Sequence, residues 1–183
     1  MSKLLEKYPD EVQAILAKYP TEQKRSAVMP LLYLAQHDAV QETGRLYVTE
    51  TALQDIAGLL ELDRTEVASI VGFYTLYYDH ATSRYRIQVC TDLPCALRGA
   101  DQFLEEFCKR LNIKPGETTA DGLITVEAVM CLAACDKAPM FQVQSGQGLT
   151  FHENQTVESA MALVETLRNE ATGKRRTSTS GGK

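Results

Sequence analysis

Five cysteines carry the most distinctive chemistry of this sequence, and four of them form two closely spaced pairs. Four residues separate Cys90 from Cys95, and three residues separate Cys131 from Cys135. Each pair directly follows a predicted strand, so both pairs leave the same end of a sheet if those strands are parallel neighbours. Iron and sulfide are soft and need thiolate ligands that hold them through electron transfer. The spacing therefore predicts one [2Fe–2S] cluster bound by these four side chains.

The residues alone leave three other interpretations of the paired cysteines open. A structural zinc site also takes four thiolates, although C-x₂-C is its usual spacing. A redox dithiol normally shows C-x-x-C, which this sequence lacks. Ordinary buried cysteines lie on the apolar stripe of a helix or strand, as the fifth, Cys108, does on its predicted helix. The three histidines, His37, His80 and His152, are scattered, so we expect no catalytic residue in this chain.

The elements around the cysteines change from helical to strand periodicity after Thr82. Alternation of apolar and polar side chains predicts a half-buried strand that ends at Cys90. Further patterns predict a helix over 99–111, strands over 123–129, 140–144 and 148–151, and a helix over 156–169. A strand–helix–strand unit followed by a hairpin and a helix suits a small α/β sandwich of thioredoxin type with a mixed sheet.

The first eighty residues are predicted to be helical. Helices are expected over 10–18, over 21–41 with a bend near Pro30, and from Thr49 or Thr51 onward. Asp63 and Glu66 fit a capping box that opens a further helix, which carries Val67, Ile70, Val71, Tyr74 and Tyr77 or Tyr78. We therefore predict an α+β chain with an N-terminal helical bundle over 1–80, a thioredoxin-like α/β domain over 81–172 and a disordered basic tail over 173–183.

Composition excludes several classes of partner. The formal net charge of −5 disfavours general binding to nucleic acid or to an anionic membrane, because an acidic surface repels phosphates. We expect neither a signal peptide nor a transit peptide in the first residues, and no stretch is long and apolar enough to predict a membrane span. We expect a cytoplasmic protein without direct membrane insertion, in a compartment where thiols stay reduced.

Three motifs resemble a known family, the thioredoxin-like [2Fe–2S] subunit of respiratory complex I, which is the E subunit of bacterial NADH:quinone oxidoreductase. They are Cys90-Thr-Asp-Leu-Pro-Cys95, Cys131-Leu-Ala-Ala-Cys135 with Ala138-Pro139, and Val71-Gly-Phe-Tyr-Thr-Leu-Tyr77. The resemblance covers roughly residues 10–170. One departure is Ala133, where the family usually carries Gly, and we expect its extra methyl group to alter local packing or a backbone angle.

The resemblance implies a function and partners. It implies a non-catalytic electron-transfer subunit whose cluster exchanges single electrons with the flavin of an NADH-oxidising subunit, the F type of complex I. FMN and NADH are expected on that subunit, since this chain lacks a strand–GxGxxG–helix unit and a P-loop. Other peripheral-arm subunits would hold the chain at the cytoplasmic face of the inner membrane. The equivalent subunit of a soluble NAD-linked hydrogenase or formate dehydrogenase is the first alternative, and a zinc-stabilised interaction module without redox function is the second.

Overall fold

A computed structural model describes residues 3–173, which comprise helices followed by a mixed four-stranded sheet with helices, as predicted. The chain divides into two compact units. Of the described residues, those up to Arg84 and Gln144–Gly148 form the first unit, and Tyr85–Val143 and those from Leu149 to 173 form the second. Residues 174–183 of the predicted basic tail lie outside the described part of the chain.

Five α-helices and a 3₁₀ helix form the first unit. Their bounds are α1 Lys3–Lys7, α2 Pro9–Leu16, 3₁₀ Thr21–Ala27, α3 Val28–Thr43, α4 Glu50–Leu60 and α5 Arg64–Phe73. Thr49 caps α4 through its hydroxyl, which accepts the Ala52 N–H at 3.1 Å. The Glu66 carboxylate reaches back to the Asp63 N–H at 3.1 Å, which confirms the predicted capping box.

Two helix boundaries differ from the sequence prediction. The bend expected near Pro30 lies earlier, at Gln23 within the 3₁₀ helix, where φ is −117° and ψ is 18°, and the 3₁₀ helix passes into α3 at Val28. Pro30 itself occupies the first turn of α3, where a missing N–H costs no intrahelical hydrogen bond.

The helix predicted to carry Tyr74 and either Tyr77 or Tyr78 is α5, and it ends at Phe73. Tyr74 is extended, with φ −93° and ψ 125°. Tertiary hydrogen bonds override the helical pattern here, because the Tyr77 hydroxyl donates to the Met29 carbonyl at 3.0 Å.

Residues 144–148 form the tip of a β-hairpin and pack within the first unit. The Gln144 amide donates to the Leu76 carbonyl at 2.6 Å, and its oxygen accepts the Tyr78 hydroxyl at 3.1 Å. His37 Nδ1 lies 2.7 Å from the Gly146 carbonyl oxygen. The tip is thus held by polar contacts to buried and half-buried side chains.

The second unit contains the remaining helices and the strands, apart from the hairpin tip at 144–148. Their bounds are β1 Tyr85–Cys90, α6 Leu93–Ala96, α7 Ala100–Leu111, β2 Ile124–Val129, 3₁₀ Cys135–Lys137, β3 Phe141–Ser145, β4 Gly148–His152 and α8 Val157–Ala171. The strand order is β2-β1-β3-β4. One face of the sheet supplies Ile87 and Val126 to an apolar core with α7 and α8, in which the rings of Phe103, Phe107 and Phe141 stack.

Strand β1 is more buried than the predicted half-buried pattern. Gln88, expected to face solvent, is only 2% exposed. Its amide donates to Glu127 at 2.7 Å and its oxygen accepts the Gln142 amide at 2.5 Å. Glu127 also pairs with Arg86. On the second face of the strand, polar side chains therefore form hydrogen bonds with one another where solvent was expected.

Candidate metal centre

The two cysteine loops leave the same end of the sheet. Strands β1 and β2 are parallel, and their register pairs Tyr85 with Ile124 and Cys90 with Val129. This register confirms that the two strands are parallel neighbours, which the predicted cluster site requires. Cys90 is the last residue of β1, and Cys131 follows the end of β2 by two residues.

The first loop places Cys95 on a short helix beside the strand end. The Asp92 side chain accepts the Leu93 N–H at 3.0 Å, and the Asp92 carbonyl accepts the Cys95 N–H at 2.8 Å. Cys90 and Cys95 are 1% and 0% exposed and pack with Ala100, Ala138 and Met140. Both sulfurs therefore face a dry, apolar environment.

The second loop keeps its cysteines nearer to solvent. Cys131 is exposed and Cys135 is half-buried, and their sulfurs lie 3.6 Å apart. Two thiolates bound to one tetrahedral metal ion through bonds of about 2.3 Å lie about 3.8 Å apart, so this separation fits a shared metal ion. The Ala133 N–H points to Cys131 Sγ at 3.4 Å.

The later part of the second loop is fixed by hydrogen bonds from elsewhere in the unit. The Asn154 N–H donates to the Lys137 carbonyl at 2.8 Å, and the Gln155 N–H donates to the Pro139 carbonyl at 2.7 Å. Arg98 Nε donates to the Ala138 carbonyl at 3.4 Å, and the peptide bond before Pro139 is cis. These contacts fix the backbone that follows Cys135.

The sulfurs of the two loops affect each other's pKa values. Burial raises the pKa of Cys95 to about 12, and the neighbouring sulfurs of Cys90 and Cys135 contribute to this rise by hydrogen bonding and charge repulsion. The pKa of Cys135 is also raised, first by its hydrogen bond with Cys131 and then by burial. Each of the four predicted ligands thus contacts another, and Cys95 and Cys135 connect the two pairs.

The donor set fits a thiophilic group. Crowded thiols hold their protons, and a metal ion that displaced those protons would relieve the charge repulsion between the thiolates. Within residues 3–173, however, no set of three or more Cys, His, Asp or Glu side chains forms a ready-made site for a single metal ion. The ligand assignment is therefore a prediction that the sulfur contacts support.

Charges around the loops are paired or exposed. Lys137 Nζ lies 3.6 Å from the Asp136 carboxylate, and both side chains contact solvent. The Asp92 carboxylate caps α6. The loops therefore carry compensated charge next to the sulfurs.

Apolar side chains around the cysteine loops were not identified from the sequence as functional. Leu93, Leu97 and Met130 are 68%, 80% and 74% exposed, and each lies within two residues of a paired cysteine. The signal was present in the sequence, because these residues fall outside the stripes that build the core. By contrast, Cys108 is 2% exposed and lies in the apolar core of the second unit, as its helical position predicts.

An α+β fold with paired cysteine loops at the carboxyl end of two parallel strands is compatible with the class of proteins that hold an iron–sulfur cluster through cysteines. Residues 12–168 match the thioredoxin-like [2Fe–2S] ferredoxin family. The chain belongs to this family.

Relatives at 36–40% identity carry the names of respiratory subunits. The chain is 37% identical over 158 residues to the E subunit of the NADH-quinone oxidoreductase of Rickettsia prowazekii, an alignment that covers 86% of this chain and 84% of that protein. It is 40% identical over 134 residues to subunit 2 of the Thermus thermophilus NADH-quinone oxidoreductase, covering 73% and 71%. The E subunit of the Mycobacterium tuberculosis enzyme is 36% identical over 171 residues, and the chain spans 63% of its length.

A solved structure shares the fold. The crystal structure of an NAD⁺-reducing [NiFe]-hydrogenase in the H₂-reduced state aligns with a TM-score of 0.59 and 19% identity, over 81% of this chain and 23% of that chain. At this identity the similarity extends to the fold alone.

None of the helices described between residues 3 and 173 has the length and apolar character needed to cross a membrane.

Proposed function

We propose that Cys90, Cys95, Cys131 and Cys135 hold one [2Fe–2S] cluster and that the chain is the electron-carrying subunit of an NADH:quinone oxidoreductase. One observation carries the proposal: two parallel strand ends bring four cysteine sulfurs together in a member of a [2Fe–2S] family. Such a cluster takes up and releases one electron at a time.

The protein's own residues prepare this site for electron transfer. Cys90 and Cys95 are buried among apolar side chains, which excludes water from one side of the sulfurs. Cys131 is exposed to solvent, so a partner that binds at this edge would come closest to the sulfurs. Since electron transfer requires neither an acid nor a base, the proposed role needs no catalytic side chain in this chain.

The partner we propose is a flavin-containing subunit that oxidises NADH and binds at the exposed edge of the cysteine loops. Leu93, Leu97 and Met130 surround this edge and expose large apolar side chains. Such side chains are typical anchors of protein interfaces. Further peripheral-arm subunits would then place the chain at the cytoplasmic face of the membrane, with FMN and NADH bound by the flavoprotein.

The relatives favour this proposal over a hydrogenase or formate dehydrogenase subunit. Identities of 36–40% connect the chain to subunits named for NADH-quinone oxidoreductase. The hydrogenase similarity, at 19% identity, extends to the fold alone.

Mixing the cluster-loaded chain with an NADH-oxidising flavoprotein subunit tests the electron-transfer role. On addition of NADH, we expect the visible absorption of the cluster to bleach and the signal of the reduced cluster to appear by EPR. The Leu97→Glu variant should weaken subunit binding by at least about tenfold, because a buried charge would oppose the apolar contact.

Leu149→Glu, on the edge strand β4, is a matched control that should bind normally, because Leu149 lies away from the cysteine loops. A cluster that dithionite reduces but NADH does not, in the presence of active flavoprotein, would contradict the proposed partner.

A further inference from the structure

Ala133 has an unusual backbone conformation for its residue type. Its φ is +60°, in the left-handed region that L-residues other than Asn, Asp and Gly rarely occupy. The other positive-φ residues described that are not glycine are Glu61 and Asn112, which cap helix ends, and Asn154. Alanine has no polar side chain to offset the steric cost. Ala133 lies between Cys131 and Cys135, and unlike Glu61 and Asn112 it does not cap the end of a helix.

The same loop carries a hydrogen bond to a cysteine sulfur. The Ala133 N–H lies 3.4 Å from Cys131 Sγ. A backbone N–H directed at a thiolate sulfur stabilises the negative charge there and so raises the reduction potential of a bound cluster. Both atoms precede the N–Cα bond of Ala133, so a change in φ moves them together and displaces Cys131 relative to Cys135.

The strain lies in the more accessible part of the loop. Hydrogen bonds from Arg98, Asn154 and Gln155 fix the backbone at residues 137–139. Cys131, at the other end of the loop, is exposed. Relaxation of Ala133 to a negative φ would therefore move the Cys131 end of the loop more easily than the Cys135 end.

We propose that Ala133 is a positioning residue whose strained conformation weakens the hold of Cys131 on the cluster. The inference depends on the proposed function, because it concerns the same four ligands. Binding at Cys131 keeps Ala133 in the left-handed region, and release lets the loop relax. This chain should therefore lose its cluster through the Cys131 end, and faster than it would with a glycine at position 133.

Substitutions at position 133 change the strain and leave the hydrogen bond to Cys131 in place. Glycine accepts a positive φ without steric cost, and asparagine accepts it better than alanine, whereas β-branched valine disfavours it. Ala134→Gly is the matched control, because Ala134 has a φ of −132° and gains no relief from losing its methyl group.

The experiment measures cluster loss from the full chain after addition of excess iron chelator under anaerobic conditions. Visible absorption follows the loss, and the midpoint potential and the EPR spectrum of the reduced protein are recorded for each variant. Ala133→Gly should slow the loss about five-fold, equivalent to ~1 kcal/mol. Ala133→Asn should also slow it, Ala133→Val should accelerate it, and Ala134→Gly should not slow it.

The midpoint potential reports the positioning role separately from loop stability. Ala133→Gly and Ala133→Asn should keep the potential of the unmodified protein, because both accept the positive φ that sets Cys131 relative to Cys135. Ala133→Val should shift the potential and change the g-values, because a negative φ would displace Cys131 relative to Cys135.

An Ala133→Gly variant that loses its cluster as fast as the unmodified protein would overturn the inference, even if the valine variant fails to fold. If that protein still contains two iron and two sulfide ions per chain, the proposed function stands although the inference fails. Unmodified protein that binds neither iron nor sulfide would overturn both proposals.

Discussion

Gly146→Ala should destabilise the first unit, because the hairpin tip lies against helix α3. A Cβ atom added at Gly146 would lie 2.9 Å from Val40 Cβ and 3.1 and 3.2 Å from its two methyl carbons. Carbon atoms in contact prefer about 3.5–4.0 Å. Val40 Cβ is attached directly to the helix backbone, so a change of rotamer does not move it away.

The expected loss follows from this overlap. The hairpin tip must shift by several tenths of an ångström, and this strains the hydrogen-bond distance of 2.7 Å between His37 and the Gly146 carbonyl. Overpacking of this kind costs about 1–3 kcal/mol. For a chain of this length the melting temperature should fall by roughly 2–12 °C.

Thermal unfolding of the cluster-free protein, followed by far-UV circular dichroism, measures this effect. Gly58→Ala is the matched control: Gly58 lies in α4, and an added Cβ has nothing within 4 Å. This control should stabilise by about 0.5–1 kcal/mol, because alanine favours a helix over glycine. If Gly146→Ala were as stable as the unmodified protein, or gained stability as Gly58→Ala does, the close packing against Val40 would be refuted.

Two further predictions concern charge. Burial raises the pKa of the Cys108 thiol to about 11, so folding favours its neutral form. This contribution, on the order of 2 kcal/mol, is fully present below an unfolded pKa near 9 and is lost as the pH rises towards 11. In urea unfolding, the loss of stability between pH 9 and 11 should be smaller in Cys108→Ala than in the unmodified protein; equal losses would contradict the assignment. Lys137→Ala should lower the midpoint potential of the cluster and Asp136→Asn should raise it, in redox titrations followed by EPR. A cation about 6 Å from the cluster at an effective dielectric of 20 contributes ~120 mV, and the neighbouring carboxylate and solvent reduce this to a few tens of mV. Shifts of the same sign in both variants would contradict the electrostatic origin.

Much of the second unit follows from local sequence patterns. The strand ending at Cys90, the amphipathic helix α7 and the hairpin around Gly146 appear within two residues of their predicted bounds. In these segments apolar periodicity and turn residues favour the same local structure, so local preference and packing agree.

Differences arise where tertiary contacts determine the structure. Helix α5 ends at Phe73 although apolar spacing continues, because Tyr77 bonds to a carbonyl of another helix. Gln88 is buried because polar side chains on two neighbouring strands satisfy its amide. No local pattern contains information about such distant partners.

The candidate site could be predicted as a set of residues but not as a geometry. Spacing identified the four cysteines, and parallel strands bring their loops together. Two features of the geometry depend on the packing around each loop. Cys95 is buried whereas Cys131 is exposed, and Ala133 has a positive φ. The expectation that the methyl group of Ala133 alters local packing or a backbone angle stays a prediction, and the positive φ of this residue is the angle it would affect.

The central claim is that the four cysteines hold one [2Fe–2S] cluster, and metal analysis combined with EPR tests it most directly. Anaerobically purified protein should contain two iron and two sulfide ions per chain and be brown. It should give a rhombic S = 1/2 signal only after reduction with dithionite. Replacing Cys95 by alanine should abolish this signal, and Cys108→Ala should keep it. A colourless, EPR-silent protein with stoichiometric zinc would contradict the account and leave a structural metal site in place of an electron carrier.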